Sequence, residues 1–397
     1  MCVLLPLVLG MFPQDVKAGP PPLLHPPGAM VPQWPPLEFF SDSDVQLQHY
    51  PAFGIDDEGT RYVVYAGRDL FCKDTICALF YQVSRDGVAW TRAVRVPGSE
   101  DFGGGPQVVG AKGGRAYIAW FGSHGLTVTW TDDQGGSFAT PVAADPSLPG
   151  SLEFSIEIDS SGALHFAWDE AYNDYLYYLR STPTYLPDAS GRQSRDPVFL
   201  PGQRLFAEDG RAYSYPVMAV DGVGFVSIVY ETKDRHIAFT RAYQGLTFPP
   251  SRDLGGGNDI SNVQLTVAPE GPVTIFFSDE NAAHKEFYLY SLVAMDGVNF
   301  QGPFKHTEGD GLFMAVRRSV RSGPDGAIYA IWYQKWPKEL LSMVYAQSSD
   351  YGVTFPRRDL VQSGRDYPGA SYPTLVLTQD GIRCVVTAEL RYTESRR

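Results

Sequence analysis

From residue 50 onward the chain alternates apolar and polar positions in short runs, each broken by a Gly or Asp-Gly turn. Period-two alternation puts successive side chains on opposite faces of an extended strand, so the runs predict strands and leave little room for helices. The pattern then repeats. Seven segments share a strand, a glycine turn and a second strand: Tyr50 to Tyr65, Pro106 to Trp120, Phe154 to Trp168, Tyr215 to Tyr230, Val263 to Phe277, Ser319 to Trp332 and Tyr372 to Thr387. The turns fall at Gly59, Gly114, Gly162, Gly222, Gly271, Gly326 and Gly381. Their mean spacing, roughly 54 residues, suits a four-stranded unit repeated around a ring.

A second signature lies in the latter half of most repeats. Thr131-Asp132-Asp133-Gln134-Gly135-Gly136-Ser137-Phe138 and Ser348-Ser349-Asp350-Tyr351-Gly352-Val353-Thr354-Phe355 both read Ser/Thr-x-Asp-x-Gly-x-Ser/Thr-Phe. Ser84 to Trp90 is one residue shorter, and Ala294 to Phe300 and Gly245 to Phe248 are looser versions. Physically this is a hairpin corner: the carboxylate accepts turn N–H groups, Gly takes positive φ, and the aromatic buries between neighbouring sheets. Asp86, Asp133 and Asp350 are therefore expected to hold turns rather than perform chemistry.

These residues resemble the Asp-box, or BNR, repeat of the sialidase-like β-propeller superfamily, over nearly the whole chain. The resemblance implies an all-β fold, a β-propeller of four-stranded antiparallel blades with Asp-box hairpins, in a single domain over 37–397. Six repeats run through both hairpins, whereas the last stops soon after its first hairpin, at Leu390-Arg391-Tyr392. An incomplete blade would leave an open sheet edge. Leu37-Glu38-Phe39-Phe40 is placed to supply the missing outer strand, so the expectation is a seven-bladed ring closed by both termini. A six-bladed ring with a divergent extra hairpin is the alternative.

Composition agrees with a strand-rich chain: 40 Gly, 23 Tyr and 23 Phe, with 44% hydrophobic and only 19% charged residues among 397. It excludes a disordered chain or a helical bundle. A net charge of -13 argues against nucleic acid and anionic membranes as partners. Residues 2–12 form an apolar run too short to span a bilayer. With Val16-Lys17-Ala18 behind it, this reads as a signal peptide over 1–18, although no Lys or Arg precedes the run. Residues 19–36 read as a proline-rich linker. The expected localisation is secreted, periplasmic or extracellular, as a monomer without a membrane span. Cys72 and Cys77 flank a four-residue loop and are candidates for a bridge in such a compartment. No Cys/His spacing resembles a zinc site, and no cofactor is called for.

Strand order assigns a face to the site. In an up-and-down blade the acidic corners share one face with the first-to-second turns. The second-to-third loops and the lead-ins to first strands lie on the other. There the candidate ligand-binding residues are His49, Arg68, Asp169, Glu170, Arg211, Glu231, Arg317 and Arg365. Acids, arginines and tyrosines at one channel mouth make a candidate glycan site, with a solvated loop face as the plainer reading.

The resemblance further implies an exo-acting glycoside hydrolase of the exo-α-sialidase type. Tyr372 would be the nucleophile, Glu389 its base, and Asp69 or Asp74 the acid/base, because a phenol needs a neighbouring base to attack. One departure is plain: the family's first arginine sits in Arg-Ile-Pro, and this chain reads His49-Tyr50-Pro51. A histidine cannot replace a permanently charged, bidentate fork at neutral pH. Glycan or other extracellular-ligand recognition without catalysis is therefore the leading reading. A polysaccharide lyase using His49, His124, His165, Tyr213 and Arg211 comes third, although His165 alternates with apolar neighbours like a core residue.

Overall fold

The structure, a computed structural model, describes residues 38–39, 46–68, 78–147, 151, 154–170, 175–185, 196–205, 212–281, 286–307, 312–314, 319–335, 341–363, 374–377, 383–386 and 391–395. Every regular element among them is a strand, and the strands form the antiparallel blades of a β-propeller. Sheets of consecutive strands cover residues 46–95, 107–143, 154–205, 212–256, 260–305 and 312–363. The C-terminal strands Thr374–Leu377, Arg383–Val386 and Arg391–Ser395 form a further sheet, whose outer edge is Glu38–Phe39. Glu38 pairs with Tyr392 and Phe39 with Arg391. Six blades, not seven, are thus built from consecutive strands. The further sheet takes three strands from the C-terminal segment, and the N-terminal strand occupies its fourth position.

Each sheet starts at the centre. The first strand Gln46–Ile55 lies against Gln107–Ala111, which lies against Phe154–Ile158, and the series continues through Ala212–Val220 and Ile260–Val267 to Val320–Ser322. Second strands carry the bulk of the packing. Trp120, Trp168 and Trp332 occupy equivalent second strands and are fully buried.

Several first strands are irregular in the half that begins them. Register shifts fall between Gln46 and Ala52, between Ala212 and Val217, and between Ser261 and Gln264. Pro51 and Pro216 sit inside two of these, where a residue without an N–H cannot complete the ladder. Bulges of this kind bend a strand and re-aim its side chains.

The acidic corners behave as their residue types require. Asp133 accepts from the Ser137 N–H (2.9 Å), the Ser137 hydroxyl (2.8 Å) and the Thr131 hydroxyl (2.7 Å). Asp350 accepts the same three bonds from Thr354 and Ser348, at 2.9, 2.6 and 2.6 Å. Asp86 takes the N–H groups of Val88 and Ala89, both at 2.8 Å. Burial tends to raise the Asp133 and Asp350 carboxyls, but these bonds outweigh it and hold both below the usual carboxylate range. Gly352, at φ 90°, occupies a backbone region that a side chain would strain.

Four of the aromatics that follow these hairpins wedge against the preceding sheet. Phe138 meets Tyr81 (4.6 Å between centroids), Phe248 meets Tyr178 (4.9 Å), Phe300 meets Phe239 (5.0 Å) and Phe355 meets Phe276 (5.7 Å). The first hairpins add a second tier of acid turns on the same face. Asp56, Asp159 and Asp221 each accept two turn N–H groups through one oxygen. The other oxygen is taken by the Tyr62 hydroxyl, His165 Nε2 and Arg241 Nη2 respectively.

Candidate functional site

On the face opposite the acidic corners lie the ends of second strands and the starts of first strands. His49 and Arg68 stand in the first sheet, paired in register with Ala66 and Gln46. Asp169, Glu170 and Glu231 end second strands in the third and fourth sheets. Tyr372, Glu389, Asp69, Asp74, Arg211, Arg317 and Arg365, with Cys72 and Cys77, lie outside the described residues. His165 takes the core place that its apolar neighbours suggested, which removes it from any lyase site. It is fully buried, with Nδ1 2.7 Å from the Tyr178 hydroxyl and Nε2 3.2 Å from Asp159, so it is a satisfied core histidine. Burial tends to raise the Asp159 carboxyl, yet His165 and the turn donors bring it down to about 2.

The third sheet assembles a polar rim where Glu170 and Tyr175 meet. Trp168 is opposite Tyr177 in register, and Tyr177 is opposite Arg204, so the three side chains share one sheet face. Trp168 and Tyr177 stack at 5.6 Å with an interplanar angle of 16°. The Tyr177 hydroxyl donates to Glu170 Oε2 at 2.9 Å, while the Glu170 N–H closes the loop on the Tyr175 carbonyl, also at 2.9 Å. Burial and then the Glu170 carboxylate push the Tyr177 phenol up to about 12, so it stays a neutral donor at physiological pH. The Arg204 guanidinium lies 3.1 Å from the Tyr175 ring centroid, a cation–π stack. Asp169 is half-buried and accepts from the Ser151 hydroxyl at 3.2 Å. The rim therefore presents two carboxylates and a stacked guanidinium on a rigid strand pair, with the buried Tyr177 phenol fixing one of the carboxylates.

A second cluster joins the fourth sheet to the fifth. Buried Glu231 accepts from Arg235 Nη1 at 2.5 Å, and Arg235 Nε reaches Asp259 Oδ1 at 3.3 Å. The Asp259 N–H then donates to Asp279 Oδ1 at 3.1 Å. Gly257 makes room for that carboxylate, since a Cβ there would lie 2.3 Å from Asp279 Oδ1. Arg235 is thus held between two acids. An incoming carboxylate would have to displace Asp259, which makes this arginine a poor member of a carboxylate clamp.

Asp169, Glu170 and Glu231 are brought to this face as their strand positions required. Tyr175, Tyr177, Arg204 and Arg235 were missed by sequence reasoning. Tyr175 and Tyr177 carried a faint signal, alternating tyrosines straight after the acidic loop. Arg204 carried none, because only the outer-strand pairing brings it back to Tyr177. Among the described residues no three His, Cys, Asp or Glu side chains group as a metal site, and no helix is long and apolar enough to cross a membrane.

No family model matches the chain, and no curated protein matches it. Solved structures do. A polysaccharide lyase, an ulvan lyase bound to a GlcA(1-4)Rha3S saccharide, superposes with TM-score 0.57 at 14% identity, over 90% of this chain and 95% of the lyase. The BP39L lectin from Burkholderia pseudomallei gives TM-score 0.56 at 10% identity, over 88% of this chain and 93% of the lectin. The fold is a β-propeller of the kind those proteins share. A microbial sialidase, Hz136, also matches, at TM-score 0.48 and 14% identity over 89% of this chain and 66% of the sialidase, a likeness too distant to bear on chemistry.

Proposed function

We propose that this chain is a carbohydrate-recognising β-propeller that acts outside the cell and binds on the face opposite its acidic corners. The observation that carries the reading is the third-sheet rim. Asp169 and Glu170 offer carboxylate acceptors for sugar hydroxyls, the neutral Tyr177 phenol fixes Glu170 by donating its one proton to it, and the Tyr175–Arg204 stack presents a flat polar surface beside them. Side chains locked by packing and by each other are what a preorganised binding surface requires. The shared fold with a lyase and a lectin, both named for saccharide chemistry, is consistent with this reading.

The reading takes the acidic corners as the Asp boxes of the sialidase-like superfamily. It takes the composite C-terminal sheet as the element that closes the ring beside the six blades. Its support is that Thr374–Leu377 touches both Val320–Ser322 and Gln46–Ile55, the first strands on either side of the gap. A glycan array with the purified protein tests the function. Asp169→Asn and Glu170→Gln should weaken any glycan bound by about tenfold, as expected for lost hydrogen bonds to charged acceptors. Full binding by both variants would remove the rim from the site. Retaining sialidase chemistry would run through Tyr372 and Glu389, so a fluorogenic sialoside is assayed alongside, with Tyr372→Phe as control. Equal rates in both proteins take Tyr372 out of any mechanism.

A further inference from the structure

The third-sheet rim has a counterpart two sheets further on. Tyr175-Leu176-Tyr177 leads into the third strand of its sheet, and Tyr288-Leu289-Tyr290 lies in the third strand of the fifth sheet. The register is the same in both. Trp168 is opposite Tyr177 and Tyr177 opposite Arg204; Phe277 is opposite Tyr290 and Tyr290 opposite Lys305. Phe277 and Tyr290 stack at 5.6 Å with an interplanar angle of 20°, close to the geometry of Trp168 and Tyr177. Lys305 Nζ lies 3.8 Å from the Tyr288 ring centroid, as Arg204 lies over Tyr175. An acid completes each set: Asp279 comes two residues after Phe277, as Glu170 comes two residues after Trp168. Burial and then the Asp279 charge raise the Tyr290 phenol, as burial and Glu170 raise Tyr177. One methylene shorter than Glu170, Asp279 is held by the Asp259 N–H at 3.1 Å.

The blade plan does not demand this set. The same second-strand position carries Trp120, Tyr230 and Trp332 in the second, fourth and sixth sheets, but the residues opposite are Thr127, Ala238 and Val344. The first sheet has the row Tyr65, Phe80 and Arg95, yet Ala78 stands in the place of Tyr175 and Tyr288, and Gly67 in the place of the acid. Stacked ring, cation and acid therefore come together in the third and fifth sheets alone among these six. Arg204 and Lys305 are exposed, so neither fills the core, and a cation resting on a ring at the surface adds little stability. Among the described residues no acid pairs with Lys305, and Asp279 accepts one side-chain hydrogen bond, on Oδ1. An ammonium brings three donors and the second carboxylate oxygen an acceptor, the two functions that adjacent sugar hydroxyls engage. One positive and one negative charge together suit a neutral unit.

We propose that the fifth-sheet rim is a second saccharide position equivalent to the third-sheet rim, so that one chain holds two neutral sugar units at once, each beside a ring-stacked cation and an acid. This valency of two rests on the rim reading proposed above, and the variants below separate the two. The full chain is titrated with the methyl glycosides of glucose, galactose, mannose and fucose, and the number bound per chain is read by calorimetry and native mass spectrometry. Wild type is expected to bind two units of at least one glycoside, Lys305→Met and Glu170→Gln one each, and the double variant none. Asp279→Asn carries the fifth-sheet arm if Lys305→Met fails to fold. On a surface densely coated with the same glycoside, loss of either position should weaken retention by about a hundredfold, because the second contact is then no longer intramolecular. One unit per chain, unchanged in Lys305→Met and Asp279→Asn but lost in Glu170→Gln, overturns the second position and leaves the rim reading standing. One unit lost in Lys305→Met but kept in Glu170→Gln overturns the equivalence and the rim reading together. Absence of binding by all four glycosides overturns the two-position count, whatever a glycan array shows for the rim.

Discussion

Replacing Asp350 by Ala should destabilise the fold through its neighbour more than through the turn itself. Asp350 accepts from the Thr354 N–H, the Thr354 hydroxyl and the Ser348 hydroxyl. Thr354 is exposed, so water replaces two of those bonds at little loss. Ser348 is fully buried and its oxygen already accepts the Gly352 N–H at 2.8 Å. Without the carboxylate its hydroxyl proton has no acceptor, which costs about 1–3 kcal/mol. The corner also presents Phe355 to Phe276 and Trp332, so loosening would be felt in the wedge. Taking about 2 kcal/mol, and an unfolding entropy near 2.1 cal/mol/K per residue, the melting temperature should fall by about 2–3 °C.

Calorimetry on four proteins settles the reasoning: wild type, Asp350→Ala, Ser348→Ala and the double variant. If the orphaned hydroxyl dominates, removing the carboxylate is nearly free once Ser348 is gone, and the cycle shows about 1 kcal/mol or more of coupling. Additive losses would refute the account. So would a single variant indistinguishable from wild type.

Acid should expose His306. It is buried beside Ser291, Phe276 and Phe355, and burial together with the Arg358 charge pushes its pKa down to about 3. A folded pKa below the unfolded value near 6.5 means that the unfolded chain binds the extra proton as pH falls, so stability is lost from about pH 6.5 downward, by about 1.4 kcal/mol per unit. His306→Gln should therefore show a flatter stability curve between pH 6.5 and 4.5 than wild type; parallel curves would contradict the assignment. Gly110→Ala should be among the most damaging single substitutions, at more than about 3 kcal/mol, because its Cβ collides with backbone that has no free rotamer. Near-normal melting would show that the first two sheets can part. Truncation before residue 41 strips the edge strand that pairs with Arg391 and Tyr392, and should lower the melting temperature and promote association. An unchanged, monodisperse protein would show that this edge does not need covering.

Most of the blade plan was legible in the residues themselves, and the reason is that it is local. A strand–turn–strand unit is specified within about 20 residues by period-two alternation and by an Asp and Gly that only a tight corner accommodates. Hence the corners at Asp86, Asp133 and Asp350, the wedges at Phe138 and Phe355, and the role of Glu38–Phe39 at the edge of the C-terminal sheet could be read before any coordinates. His165 also declared itself, by sitting between Leu164 and Phe166 in a second strand. Contacts made across the ring could not be read. Arg204 meets Tyr175 and Tyr177 only because an outer strand returns to its own sheet after a long excursion. Arg321 meets Glu157 only because a closed circle of blades brings together residues far apart along the chain. Alternation tells which side of a strand a residue faces; it carries no information about which strand faces it across a channel, and that was left to tertiary closure.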